Sequence, residues 1–379
     1  VSLALAVLVV TAAGSDAFPL WDASLPVPTS ADLAELEGVR FEVIKANVPD
    51  IDGYHWLHGV GLAVHREQLF ASFGLNVGHE NTATEIARYV TRPMDSSTWT
   101  PLQRFTSEDP DTAVSHGVFL THQGDLWAFL GAFRETRSAV HMRAYTQPTG
   151  EKNWVDHGVV AEQGFWPMGE PLPMDNGNWL IPGFIVGNQG RTSNPAAVAL
   201  SKGSDFTQWR IVRIPKDAEN RMWGESTVLV DGSEVLCVAR NDGRDPVALV
   251  SRSADYGETW TPIQRTNLPM AASKPYAGIL STGQRYLICT TTADAENRRY
   301  PLTVAVTKPG HKAFSKIFRI RDAEHLGPGE SQPNAALSYP YAIEHDGHLY
   351  VGYSNNGGRG SNRNSAELAI IPIASLANK

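Results

Sequence analysis

Cysteine is nearly absent from this chain: its 379 residues include two, Cys237 and Cys289. Two thiols are too few for a disulfide scaffold or a thiolate metal site. Both sit in apolar strand-like runs, VLCVAR and YLICTT, on second strands of neighbouring hairpins. Their positions after the turns have opposite parity, so two unpaired, buried thiols are expected. Basic charge is also scarce, with 32 Lys and Arg against 40 Asp and Glu, a net charge of −8. That balance argues against nucleic acid as a partner and offers no basic membrane patch. A local cluster of Arg still suits an anionic small molecule. Long apolar runs are missing, apart from VSLALAVLVVTAA at 1–13. This run is short for a membrane span. Followed by the polar GSDAFP, it reads as part of a secretory signal over 1–17. A secreted or periplasmic protein, free of the membrane after cleavage, is the expectation. No HExxH, P-loop or dinucleotide motif occurs, so neither a metal nor a cofactor is expected. No stretch keeps a long 3.6-residue pattern, which excludes a helical solenoid.

What the sequence has in abundance is turns and aromatics: 33 Gly, 24 Pro and 10 Trp. One unit recurs six times, an apolar run, a polar turn and a second apolar run. The turns centre on Glu67, Gly124, Gly177, Gly232, Gly283 and Gly347, spaced 57, 53, 55, 51 and 64 residues apart. Each copy has the signals of a β-hairpin. A second marker interleaves with it, a strand and a polar turn ending in an aromatic. Its copies end at Trp99, Trp154, Trp209, Trp260 and Phe314, spaced 55, 55, 51 and 54. Two markers with one period define a unit of two hairpins. Six such units make an all-β, six-bladed β-propeller with four antiparallel strands per blade. The last copy stops after its third strand, NSAELAIIPI at 364–373. The missing strand is expected from VRFEVIKANVP at 39–49, which closes the ring. The propeller is therefore drawn over 39–379, with 18–38 as a lead-in.

The motif SADYGETW at 253–260 resembles the Asp box of sialidase-like propellers. The stretch from Glu225 through Arg240 to Trp260 is similar to the same family. RRYPLTVAV at 298–306 resembles the segment carrying a substrate-binding Arg, and SYPYAIEHDGHLYVGYS at 338–354 the one carrying a nucleophilic Tyr. The resemblance implies that Tyr339 is a nucleophile polarised by Glu225, and that Arg240 and Arg298 or Arg299 bind an anionic group. Two family features are replaced. The first blade opens with YHWLHG at 54–59 instead of Arg-Ile-Pro. The loop that carries the acid/base Asp reads GLNVGHENTATE at 74–85, with Glu80 and Glu85.

Counting from the hairpin turns places candidates on the top face independently of that resemblance. Before the turns lie His58, His116, Glu170, Glu225, Lys274 with Tyr276, and Tyr339 with Tyr341. After the second strands lie Asn76, Arg134, Arg240, Thr292 and Asn355. Third strands start at His141, Arg244 and Arg298 or Arg299. Ionisable groups are poor choices for a sheet interior unless paired. Glu225 and Arg240 are either an ion pair inside a blade or part of a site. Tyr341 competes with Tyr339. A neutral phenol needs a base to attack at neutral pH, and a guanidinium fork grips a carboxylate. His58 or His116 suits proton transfer. Trp166, beside Glu170, offers a face for a sugar ring. Arg298 and Arg299 are adjacent, so one of them points inward.

These readings lead to an exo-glycosidase acting on a terminal acidic or otherwise substituted sugar. The alternatives are a propeller-type lyase on a uronate-containing glycan, using His and Tyr, and a non-catalytic glycan-binding propeller. A monomer and a glycan partner are expected.

Overall fold

The computed structural model describes residues 17–105, 109, 111–187, 194–216 and 219–377. Apart from residue 17, the leader expected over 1–17 lies outside them. The described chain is built from six sheets in chain order, each a blade of one propeller. The second blade is the plainest: Ala113–His122, Asp125–Arg134, Ser138–Gln147 and Val155–Ala161, joined as an antiparallel meander. In the first blade the outer strand shrinks to a single bridge between Tyr89 and Gln103. The sixth blade runs Leu337–His345, His348–Asn355 and Ser365–Pro372, and its outer strand is Arg40–Lys45. Arg40 stands opposite Ile370 and Glu42 opposite Leu368. The N-terminal segment thus closes the ring, as the truncated last repeat requires.

The lead-in runs along the outside of two blades. Phe18 bridges to Thr266 in the fourth blade. Trp21 bridges to Phe314 and Ala34–Glu35 pairs with Phe318 and Arg319, both in the fifth. The turn at 253–260 is tied by its own side chains. Ser253 Oγ donates to Asp255 at 2.8 Å, Thr259 N donates to Asp255 at 2.9 Å, and Trp260 Nε1 donates to Gly257 O at 2.9 Å. Cys237 and Cys289 are unpaired and buried, and burial pushes both thiols up to about 12.

One irregularity recurs and positions the site. In four blades the first strand carries a register shift near its top. The shifts fall between His58 and Gly61, Val114 and Gly117, Trp223 and Ser226, and Ser338 and Tyr341. Each inserts unpaired residues that bend the strand and re-aim side chains. Gly117 shows why a small residue closes the bulge. A Cβ there would lie 1.9 Å from Phe129 O.

Candidate active site

The bulges and the residues flanking them point to one place. His58, Ser115 with His116, Glu225 and Tyr339 all line a single cavity of about 310 Å³. At its floor the Tyr339 hydroxyl donates to Glu225 Oε1. Arg240 Nη1 donates to Glu225 Oε2 at 2.9 Å. Tyr339 holds a φ of +54°. This left-handed backbone is costly for an aromatic residue and persists only where neighbours enforce it.

The electrostatics favour a neutral phenol beside an ionised carboxylate. Burial, and then the Glu225 charge, push Tyr339 well above the usual phenol range. Burial alone would raise Glu225, but Arg240 and the Tyr339 hydroxyl outweigh it and hold the carboxyl below its ordinary value. Glu225 is therefore an acceptor already in contact with the proton that a nucleophilic phenol must lose.

Two histidines flank this pair. The His58 ring lies 3.7 Å from the Tyr339 ring, centroid to centroid, and His116 lies 5.8 Å from His58. The Asn364 amide nitrogen donates to Leu57 O at 2.6 Å, which fixes its orientation, and it approaches His58 Nδ1 at 3.2 Å. That nitrogen of His58 accepts, so the neutral ring carries its proton on Nε2. Burial first, and then neighbouring cationic groups, drive His58 well below its usual range. Burial first, then Lys274, lowers His116 to about 3. Both rings are neutral at physiological pH.

Carboxyls close the cavity from the first blade. Glu85 is buried, accepts from Asn81 N at 3.0 Å and bonds Ser115, whose Oγ is 3.1 Å from His116 Nδ1. Burial raises Glu85 to about 8. Glu80 stands at the mouth with its carboxyl turned inward, 3.1 Å from Asn362 Nδ2. Burial of that carboxyl raises its pKa, Arg137 lowers it, and Glu225 raises it again. The Glu85 shift has a measurable consequence. The folded state binds this proton more tightly than the unfolded chain does. The stabilisation is therefore complete below the ordinary value of 4.5 and is lost as pH rises through about 8. Glu85→Gln should lose less melting temperature than the parent between about pH 5 and about pH 8. Equal losses in the two proteins would show that Glu85 is not held protonated.

The structure sorts the remaining sequence candidates. Trp166 lines the cavity, its ring 5.6 Å from that of His116. Gly131 leaves room for it, since a Cβ there would lie 2.4 Å from the indole. Arg299 lines the cavity, whereas Arg298 turns outward to Asp294 and stacks on Tyr300. Glu170, Tyr276 and Lys274 do not line it. They form a cluster with Tyr341: Tyr276 donates to Glu170 at 2.5 Å, and its ring lies 4.8 Å from that of Tyr341. Lys274 is buried and donates to Pro340 O at 2.9 Å, so it grips the backbone next to Tyr339 from below. His141 sits at a separate cavity with Arg134 and Arg213, its Nδ1 near Ala139 O. Asn355 is fully buried, and its amide donates to both oxygens of Glu367, so it is not free for substrate.

Several lining residues escaped the sequence reading. Arg137 follows Arg134 by three residues in a top loop. Its Cζ lies 5.7 Å from the Trp166 ring, 5.7 Å from Phe184 and 5.9 Å from Trp223. Its Nε is buried with no hydrogen-bond partner among the described residues. Asp242 follows Arg240 by two and receives Arg240 Nε at 2.6 Å and Nη2 at 3.3 Å. Both lie in loops between second and third strands, just past the strand ends where counting stopped. Among the described residues no group of three or more His, Cys, Asp or Glu is arranged to hold a metal.

The model of one family, described as the BNR repeat-like domain, matches residues 68–351. The chain belongs to the BNR repeat-like domain family. No curated protein matches it. Among solved structures, this BNR repeat-like chain is similar to a protein of unknown function from Dyadobacter fermentans, with TM-score 0.68 and 16% identity. That likeness covers 89% of this chain and all of the other. It is also similar to the Hadza microbial sialidase Hz136, with TM-score 0.66, 12% identity and coverage of 88% and 68%. The sialidase of Trypanosoma rangeli gives TM-score 0.61, 14% identity and coverage of 96% and 60%. The fold is sialidase-like.

Proposed function

We propose that this chain is a retaining exo-glycosidase with Tyr339 as its nucleophile. One observation carries the reading: the Tyr339 hydroxyl is bonded to an ionised, Arg240-paired Glu225 at the floor of a cavity. In the first step Tyr339 Oη attacks the anomeric carbon while Glu225 takes the phenolic proton. Glu80, whose raised pKa suits an acid, gives its proton to the departing oxygen. The anomeric C–O bond breaks as the bond to Tyr339 forms. Water then attacks the same carbon, Glu80 takes its proton, and Glu225 returns one to the leaving phenol. Two inversions give net retention.

A second reading has one observation in its favour, the His58 ring packed on Tyr339. A neutral imidazole there suits proton abstraction α to a uronate carboxyl, the chemistry of a lyase. The two separate on a panel of aryl glycosides and uronate oligosaccharides, followed by NMR and ultraviolet absorbance. The glycosidase releases a reducing sugar whose first-formed anomer matches the substrate. A chromophoric unsaturated uronate, or binding with no turnover at all, would sink this proposal.

A further inference from the structure

The most prominent guanidinium of the cavity that recognises the sugar is already occupied. Arg240 lies 2.6 and 3.3 Å from the two oxygens of Asp242 and 2.9 Å from Glu225. The paired edge of the fork, which grips a carboxylate bidentately, is filled by the protein itself. We propose that Asp242 stands where the acid group of an anionic sugar would bind, and that this cavity takes an uncharged terminal sugar. The inference rests on the reading of this cavity as the glycosidase site.

Three further observations support it. Arg137 is turned onto three aromatic faces, and its charge acts on Glu80. Arg299 commits Nη2 to Ala272 O at 2.9 Å. In the first blade the inward group is His58, held neutral. An uncharged sugar fits what remains. Its hydroxyls donate to carboxylates, which only accept. Its C–H face packs on an aromatic ring such as Trp223, which is partly exposed and lines the cavity.

The test compares matched pairs, methyl hexosides against the corresponding methyl uronides and an α-keto-acid sugar glycoside. Affinities are measured by calorimetry on the folded Tyr339→Phe protein, where no turnover interferes. The neutral member should bind about 100-fold more tightly, because a ligand carboxylate placed beside Asp242 meets a like charge. Asp242→Asn removes that charge and should narrow the ratio by about tenfold. Tighter binding of the acidic member by the Asp242-containing protein would overturn the proposal. So would a ratio unchanged in folded Asp242→Asn. If that variant does not fold, the ratio in the Tyr339→Phe protein alone still decides. Turnover is scored separately on the parent protein with aryl derivatives of both classes. Neutral-sugar binding without any hydrolysis would end the glycosidase reading and leave the charge preference standing.

Discussion

Tyr339→Phe should abolish glycoside turnover, by about 10³-fold or more, while the protein stays folded. The change removes one oxygen. The ring stays packed against His58, and the backbone at φ +54° is held by the Lys274 bond to Pro340 O, which the substitution does not touch. Glu225 loses one donor but keeps Arg240. A hydrogen bond to a charged acceptor contributes about 1.5–3 kcal/mol. For a chain of this size that is a fall of only a few degrees in melting temperature. Were Tyr339 simply a packing aromatic between blades, activity would survive the same change. Differential scanning fluorimetry beside the aryl-glycoside assay separates the two cases.

The opposite pattern is expected at a second buried ion pair. Arg321 and Glu367 are 1% and 0% exposed and lie 3.1 Å apart. Arg321 also donates to Tyr353 Oη at 3.0 Å and to Glu330 O at 2.6 Å. Neither residue lines the cavity beside Tyr339. Arg321→Met strands Glu367 inside the sixth blade with only neutral donors. Breaking such a pair costs about 3–5 kcal/mol, a loss of about 4–6 °C in melting temperature for a chain of this size. The surviving folded fraction at low temperature should hydrolyse substrate at the parent rate. A normal melting temperature with lost activity would mean that this cluster, and not the cavity, carries the chemistry.

These two pairs show where the sequence was informative. Glu225 and Arg240, and Glu367 with Arg321, look alike as a strand-borne Glu and a distant Arg. What distinguishes them is whether a cavity opens beside the carboxylate, and that depends on blade packing. The repeat spacing conveyed blade number and the closing strand at 39–49, because turns and apolar runs are local signals. Height along a strand was legible for the same reason, and it brought His58, His116, Glu225 and Tyr339 to one face. Facing was not. Each first-strand bulge adds residues and resets the in–out alternation above it. Hence Tyr339 reaches the cavity while Tyr341 stays outside it, packed on Tyr276. Asn355 was at the right height, but its amide turns into the sheet toward Glu367. Arg137 and Asp242 sit in irregular loops, where no period predicts direction.

The central claim is that Tyr339 forms the bond to the sugar. A slowly hydrolysed fluorinated glycosyl fluoride of the preferred substrate should trap that bond. Its adduct can be located by protease digestion and tandem mass spectrometry. The account predicts one sugar per chain, on the peptide containing Tyr339 and on the tyrosine itself, with no adduct formed by Tyr339→Phe. An adduct on Glu80 or Glu225, or steady turnover of the parent enzyme with inversion and no trapped species, would contradict it.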